Sequence, residues 1–388
     1  MNPLLRAEQA VLGSVLLDPG QLSHLGWLAP DHFYRPVHQA LFAALRKLRD
    51  DGHPALTAKP VPLSWVNDAV DEAGLHVRGL TASYAHALVQ SCPRSAHAPV
   101  YGRMVLEGAI HRSITKHAIR LHQAARADAL RGEVEGALHH ADVLTGVLGD
   151  LARRWGTEPR PVPPTAPPPA ISAPPPVRAD RVAEDERFLL ALLTEQPKAM
   201  DEVVGWLRPG DFADPAHGQL YRCLGALHHR SEPIDRITLL WEAQRRGLLA
   251  DGTLSGEQLT AICDGVGPGS PEWLGELVIR SSLTRTAATS ARAIRALAEN
   301  EALAPGRLIN HALDALGPLD DVRARWQTAN GSPAPAPPLP GPSLNGPPPA
   351  QAHAALARSA PRSGPPPSAQ PGSAPGPTSV RPPSRGHG

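Results

Sequence analysis

The side chains best able to do chemistry in this 388-residue sequence are its 18 histidines, three cysteines and four lysines. A phosphate-binding loop needs Gly-x-x-x-x-Gly-Lys-Ser/Thr, because backbone N–H groups and the lysine together neutralise the phosphates while the hydroxyl holds magnesium. Lys47, Lys59, Lys116 and Lys198 follow Arg, Ala, Thr and Pro, so none is that lysine. His139-His140 and His228-His229 suggest metal, but adjacent helical residues point about 100° apart, and no HExxH or cysteine partner accompanies them. Cys92, Cys223 and Cys263 are scattered without a CxxC, which argues against a disulfide framework and a zinc site. Cys92 has His86 and His97 nearby but no nucleophile context, and reads as an inert thiol. Gly265-Val266-Gly267-Pro268-Gly269 is short and interrupted by proline, so it reads as a loop and not as a nucleotide cradle. No catalytic residue, cofactor-binding residue or metal ligand is expected. His38 and His217, each two residues after a proline, read as structural groups bonded within the first turn of a helix. Glu8 and Glu186, near helix starts, read as partners of the helix dipole.

The elements that must position these residues are helical. Apolar residues recur at spacings of three and four, as in Val11, Leu12, Val15, Leu16 and in Leu41, Phe42, Leu45, Leu48, while strand-like alternation is absent. The fold class is all-α. The formal net charge is +1, from 38 Lys+Arg against 37 Asp+Glu, which excludes a generally basic nucleic-acid coat protein. No run of about 18 apolar residues exists, so no membrane span is expected. With no signal-peptide pattern at the start, a soluble, cytoplasmic location is expected. Proline marks the boundaries. Of 45 prolines, 10 fall between Pro159 and Pro176 and 18 between Pro333 and Pro383. Such stretches cannot bury enough apolar surface to offset backbone ordering. The expected organisation is therefore a helical block over residues 4–155, a Pro-rich linker over 156–180, a second block over 181–326 and a disordered tail over 327–388. At about 3.1 Å per residue the linker could separate the blocks by several tens of Å.

The two blocks are copies of one another. Setting residues 26–45 over 205–224 without a gap makes Gly26/Gly205, Trp27/Trp206, Leu28/Leu207, Pro30/Pro209, Phe33/Phe212, Pro36/Pro215, His38/His217, Leu41/Leu220 and Leu45/Leu224 identical. With small gaps the register continues through Pro54/Pro233, Trp65/Trp241 and Gly74-Leu75/Gly247-Leu248. Pro36 and Pro215 should occupy the first turn of a helix. Asp214 is a ready N-cap, whereas its counterpart Arg35 is not. Pro233-Ile234-Asp235 predicts a turn before a short helix ending at Arg245-Arg246-Gly247. The matched tryptophans read as core or interface anchors. Each copy closes with two amphipathic helices, a hairpin over about 106–154 and another over about 279–326. Their apolar stripes include Ile110, Ile114, Leu121, Leu144, Leu148 and Leu151 in the first, and Leu283, Ile294 and Leu316 in the second. These are the candidate interaction faces.

Several ordered motifs together resemble a known family, the N-terminal domain of DnaB-type replicative helicases. They are Ala7-Glu8-Gln9-Ala10-Val11-Leu12-Gly13-Ser14 with Leu16-Leu17-Asp18-Pro19, then Asp31-His32-Phe33-Tyr34-Arg35-Pro36-Val37-His38. Ser83-Tyr84-Ala85-His86-Ala87-Leu88, Pro93-Arg94-Ser95-Ala96 and Tyr101-Gly102-Arg103-Met104-Val105 continue the first copy. Glu232-Pro233-Ile234-Asp235-Arg236-Ile237-Thr238-Leu239 and Arg245-Arg246-Gly247-Leu248-Leu249 carry the second. The second copy departs at Glu186-Arg187-Phe188-Leu189-Leu190 and in the Gly-rich stretch 263–271, and the first at 55–62, where the Pro-Ile-Asp turn is lost. The resemblance implies domains that pair through their hairpins, form a collar on the helicase ring and receive primase. It also implies protein partners: the replicative helicase, primase, or self-association as an intrachain pseudo-dimer of hairpin 106–154 on hairpin 279–326 or as a homo-oligomer. No cofactor is implied, and the motor's phosphate loop has no counterpart in these residues. Two alternatives stand beside this reading. One is a regulator or decoy of the helicase or primase. The other is a DNA-binding accessory factor using Arg153, Arg154, Arg323, Arg325 and the Arg-only tail (Arg358, Arg362, Arg381, Arg385), for which nucleic-acid contact would be weak.

Overall fold

A computed structural model describes residues 2–156 and 179–331, apart from 253 and 266–268. The linker and tail assignments fall almost wholly outside the described residues. Thirteen α-helices and no strand occur among those described, so the fold is all-α. The first half comprises α1 (Pro3–Leu17), α2 (Pro36–Asp50), α3 (Ser64–Gly74), α4 (Ala82–Ser91), α5 (Ala98–Arg131) and α6 (Glu135–Trp155). The second half comprises α7 (Ala179–Glu195), the short α8 (Met200–Val203), α9 (Pro215–His229), α10 (Arg236–Arg245), α11 (Gly256–Cys263), α12 (Pro271–Glu299) and α13 (Pro305–Ala329). Apart from α8, each helix of the second half has a counterpart in the first, in the same order.

Short polar side chains and prolines start these helices. Asn2 accepts the N–H groups of Leu4 and Leu5 ahead of Pro3, and Thr81 accepts that of Tyr84, each satisfying donors that a helix start leaves over. Pro36 and Pro215 open α2 and α9, where a missing N–H costs nothing. Asp214 caps α9 through the Ala216 N–H at 2.8 Å, whereas Arg35 gives α2 no side-chain cap. Asp235 opens α10 with a capping box to Thr238, and Gly247 beyond its end takes a positive φ of 79°, a conformation that suits glycine.

The long helices begin earlier than the stripes suggested, α5 at Ala98 and α12 at Pro271. The aromatic and glycine-bearing segments before positions 106 and 279 are thus helical too. Buried Asp128 fastens the tip of the first hairpin. It accepts the Ala137 N–H of α6 at 2.7 Å and an Arg131 N–H at 2.6 Å. The halves are not held apart: α5 packs on α12 and α6 on α13, and buried apolar residues of both form one cluster.

The register pairing of Trp65 with Trp241 does not survive in space. Trp65 is wholly buried in the first turn of α3 and donates its indole N–H to the Val15 carbonyl at 3.1 Å, whereas Trp241 lies in the middle of α10 and is 59% exposed. The gap needed to align them moved one tryptophan along its helix, so a shared residue type did not mean a shared environment.

Close helix contact makes a sharp test. On α1, a Cβ added at Gly13 would lie 2.2 Å from the Leu88 carbonyl oxygen of α4, and backbone cannot swing aside. Gly13→Ala should destabilise by about 1–3 kcal/mol or more. Gly146, on α6, has open space around its position, so Gly146→Ala should stabilise by about 0.5–1 kcal/mol. Denaturant titration of the two variants reads opposite signs if the packing is as described.

Candidate interaction site

A buried carboxylate organises each half. Glu8 of α1 is 0% exposed. One of its oxygens accepts the Tyr34 N–H just before α2, and the other accepts His38 Nδ1–H at 2.7 Å. The second ring nitrogen of His38 lies 2.8 Å from the Tyr84 hydroxyl of α4. Glu186 of α7 repeats the arrangement. It accepts the Ala213 N–H, the Asp214 N–H at 3.3 Å and His217 Nδ1–H at 2.8 Å. These histidines are therefore not bonded within their own first turns, and the glutamates lie beyond the first turns of α1 and α7, sunk in the core. The glutamates tie the first helix of each half to the loop and helix that follow it. Burial of an unpaired charge would be prohibitive, so two donors converge on Glu8 and three on Glu186.

Matched loops then meet the hairpins in two different chemistries. Asp211 is buried. It accepts the Arg208 N–H at 2.7 Å, the Ser282 hydroxyl at 2.9 Å and both terminal nitrogens of Arg325. In the first half the same loop position is His32. Its Nδ1 accepts the Ala29 N–H at 3.0 Å, and its Nε2 lies 3.3 Å from the guanidinium of Arg154. Arg112 and Arg285 hold the carbonyl oxygens of His32 and Asp211, respectively. Burial, opposed by Asp31 and reinforced by Arg154 and Arg112, holds the His32 imidazole below its ordinary value of 6.5. Duplication preserved the scaffold while one copy kept an ion pair and the other a histidine beside an arginine.

The repeat-defining residues are matched in contact as well as type. Phe33 packs tilted against Phe42 with ring centroids 4.9 Å apart, and Phe212 against Tyr221 at 5.1 Å. Trp27 and Trp206 lean on Gly102 and Gly275 of the long helices, but Trp27 is 44% exposed and Trp206 only 8%. Of the residues named as hairpin faces, Ile110, Ile114, Leu121, Leu144, Leu148, Leu283, Ile294 and Leu316 are buried and Leu151 is partly buried. They are consumed inside the chain and offer no open surface.

Polar contacts cross between the hairpins. His111 on α5 places its two ring nitrogens 2.9 Å from the Ala298 carbonyl oxygen and 3.1 Å from that of Leu303. Arg323 on α13 grips Asp142 on α6 with two nitrogens. That hydrogen bond, against partial burial, holds the Asp142 carboxyl below its usual range. The other hairpin-end arginines are occupied as well: Arg153 by Asp150, Arg325 by Asp211, and Arg154 against His32. The cations offered for DNA are engaged within the protein, and the tail arginines lie outside the described residues.

Sequence reasoning passed over the outward apolar surface. Ile237 and Trp241 on α10 are 79% and 59% exposed and flank a shallow cleft of about 310 Å³ with Leu227. Their spacing of four along one short helix was the available signal. The cysteines are free thiols, and burial pushes that of Cys223 up to about 11. No group of three or more metal-binding side chains occurs among the described residues, and no described helix is long and apolar enough to cross a membrane.

A family model described as the DnaB-like helicase N terminal domain matches residues 1–107 and 179–267, the heads of the two halves and little of their hairpins. The replicative DNA helicase DnaB of Geobacillus stearothermophilus is 32% identical over 120 residues, 31% of this chain and 25% of that protein. DnaB of Mycobacterium leprae (strain TN) is 33% identical over 138 residues, 35% of this chain and 22% of that protein. The replicative DNA helicase DnaC of Bacillus subtilis (strain 168) is 33% identical over 156 residues, 39% of this chain and 32% of that protein. The chain thus spans between about a fifth and a third of the length of these helicases. No solved structure is significantly similar to it.

Removing the Glu8 carboxylate leaves His38 Nδ1, buried in the core, and the Tyr34 N–H without their acceptor. Glu8→Ala should cost about 3–5 kcal/mol, the usual penalty for breaking a buried pair, with Glu8→Gln milder because one acceptor oxygen remains. Chemical denaturation of both variants checks the order. His32 sets a pH dependence. Its folded value lies below the unfolded one of 6.5, so the unfolded chain binds the proton more readily. The contribution of His32 is then fully present above about pH 6.5 and is lost as pH falls below it. Thermal melts from about pH 7.5 to 5.5 should show a shallower fall in His32→Asn than in the wild type.

Proposed function

This chain belongs to the family of DnaB-like helicase N-terminal domains, and from that premise we propose that it is a non-catalytic, replication-associated interaction module that docks on a replicative helicase or its primase as a preformed pair of domains. The observation that carries the reading is the packing of α5 on α12 and α6 on α13, bridged by His111 and by the Arg323–Asp142 pair. Joining two copies in one chain raises their effective concentration into the mM range, which favours internal pairing over pairing with another chain.

This reading separates itself from the alternatives by where the free surface lies. A decoy that inserts its hairpins among those of another protein would first have to separate α5 from α12 and α6 from α13, where apolar residues of both halves share one buried cluster. Docking through outward faces needs no such opening. A DNA-binding role draws support from few cations, because the hairpin-end arginines are internally engaged. The 388 residues contain no Gly-x-x-x-x-Gly-Lys-Ser/Thr, so the proposed role is one of association and not of ATP-driven unwinding.

The full chain, mixed with the purified replicative helicase and primase of its own host, should co-elute with one of them at about 0.15 M salt, where weak surface charge contacts are largely screened. It should sediment alone as a single chain. Co-elution with neither partner overturns the docking role, and sedimentation as a dimer overturns internal pairing.

A further inference from the structure

The duplication contains its own control for a site on one side of the paired hairpins. Arg112 and Arg285 hold matched loop carbonyls, and Gly102 and Gly275 receive matched tryptophans. This register sets Glu107 and Ile119 of α5 against Arg280 and Arg292 of α12. The Glu8/Glu186 match likewise sets Leu4 of α1 against Val182 of α7. On the first side Leu4 covers α5 so closely that a Cβ added at Gly108 would meet it at 2.5 Å. There His111 reaches over to the Ala298 and Leu303 carbonyls. Leu4 and His111 together cover that side.

On the second side the same scaffold stays open. A cleft of about 580 Å³ lies between the C-terminal half of α5, the first turns of α7 and the middle of α12. Its walls carry Arg126, Arg131, Arg181, Arg280, Arg285 and Arg292, against Glu133 and Asp185. Arg131 is answered by Asp128 and Glu133, Arg280 by Glu276, and Arg285 gives one N–H to the Asp211 carbonyl; six guanidiniums against two carboxylates on the walls still leave the cleft net cationic. The Nε–H groups of Arg280 and Arg285 are buried with no hydrogen-bond partner among the described residues. Burial pulls the Arg285 guanidinium below its usual value, the sign of a cation held partly out of water. Like charges do not collect in a half-dry cleft without cost, and an anion with several oxygens is what their planar forks match.

We propose that this cleft binds a nucleoside polyphosphate. The arginines receive the phosphates, and the apolar wall of Ala125, Ala129 and Ala288 receives the base. The volume falls in the range of small-ligand pockets, and helices bound it on three sides, which suits a mononucleotide better than a continuous strand.

Isothermal titration of the full chain with ATP, GTP and inorganic pyrophosphate tests this. The expected result is one nucleotide bound per chain and more weakly bound pyrophosphate. The double variant Arg126→Glu/Arg181→Glu should bind at least about tenfold more weakly. Both side chains are exposed and neither makes an ion pair among the described residues, so the thermal midpoint without ligand should be unchanged. Arg153→Glu, outside the cleft, should bind as the wild type does. Pyrophosphate binding as tightly as the nucleotides overturns the nucleotide assignment. No binding of any probe at about 1 mM, or binding indifferent to the double variant, overturns the site. A single-stranded oligonucleotide that binds and is lost in the double variant, with mononucleotides inert, overturns it in favour of nucleic acid.

Discussion

A carboxylate at zero exposure in the first helix of each half has to be met by donors from elsewhere in the chain, and that demand shapes both heads. Glu8 and Glu186 cannot be left in the core with empty lone pairs. The donors come from the segment before the next long helix and from the histidine in its first turn. The loop bearing Phe33 or Phe212 is thereby fixed, and with it the place at which His32 or Asp211 meets the hairpin. In the first half the chain of contacts runs on through His38 to Tyr84 of α4, so four elements depend on one side chain. The proline two residues before each histidine serves the same end: it sets the backbone angle at the helix start and needs no hydrogen bond that the glutamate would otherwise have to supply.

Once the heads are fixed, the long helices have one apolar face left to cover, and each copy covers the other. Helix pairs of this length gain most of their stability from such burial and little from intrinsic propensity. The polar contacts across the seam add registration more than energy. The Arg323–Asp142 pair has its carboxylate 56% exposed and falls in the class of surface pairs worth about 0.2–1 kcal/mol. His111 instead fixes how far α5 can slide along α12, because its two ring nitrogens face carbonyl oxygens at the end of α12 and in the connection beyond it. Duplication then allows what a symmetric pair of identical chains does not: the two sides of the seam can diverge. Leu4 over Gly108 closes one side, and the arginines of α5, α7 and α12 line the other.

Much of this was legible from the order of residues. The period of three and four gave helices, the ungapped match of residues 26–45 with 205–224 revealed the repeat, and Asp214, Asp235 and Gly247 marked helix ends that the structure places nearby. The glutamate–histidine clamps escaped that reading because the partners are 30 and 31 positions apart. Helical periodicity reports which face a residue occupies, not which distant side chain meets it there. The early starts of α5 and α12 were hidden for a related reason: glycines and tryptophans blur an apolar stripe, although Gly102 and Gly275 are small because Trp27 and Trp206 lie against them. The arginine cleft could not be read at all from sequence, since it draws on three helices from both halves.

Internal pairing also changes what a partner of this module would encounter. Two separate domains present their hairpins to whatever chain arrives first, and the choice of partner is then governed by concentration. When the pair forms within one chain, that seam is occupied before any encounter, and an arriving protein meets only the outward faces. The most exposed apolar side chains described on α10 of the second copy are Ile237 and Trp241, whereas α3 of the first copy exposes Leu63 and Leu75 at its two ends and buries its tryptophan, Trp65. The two outward faces therefore differ in chemistry despite their common origin. A partner that docks on the Ile237–Trp241 patch would meet that pair of side chains on one copy alone, so the internal pair would carry a direction that a symmetric dimer lacks.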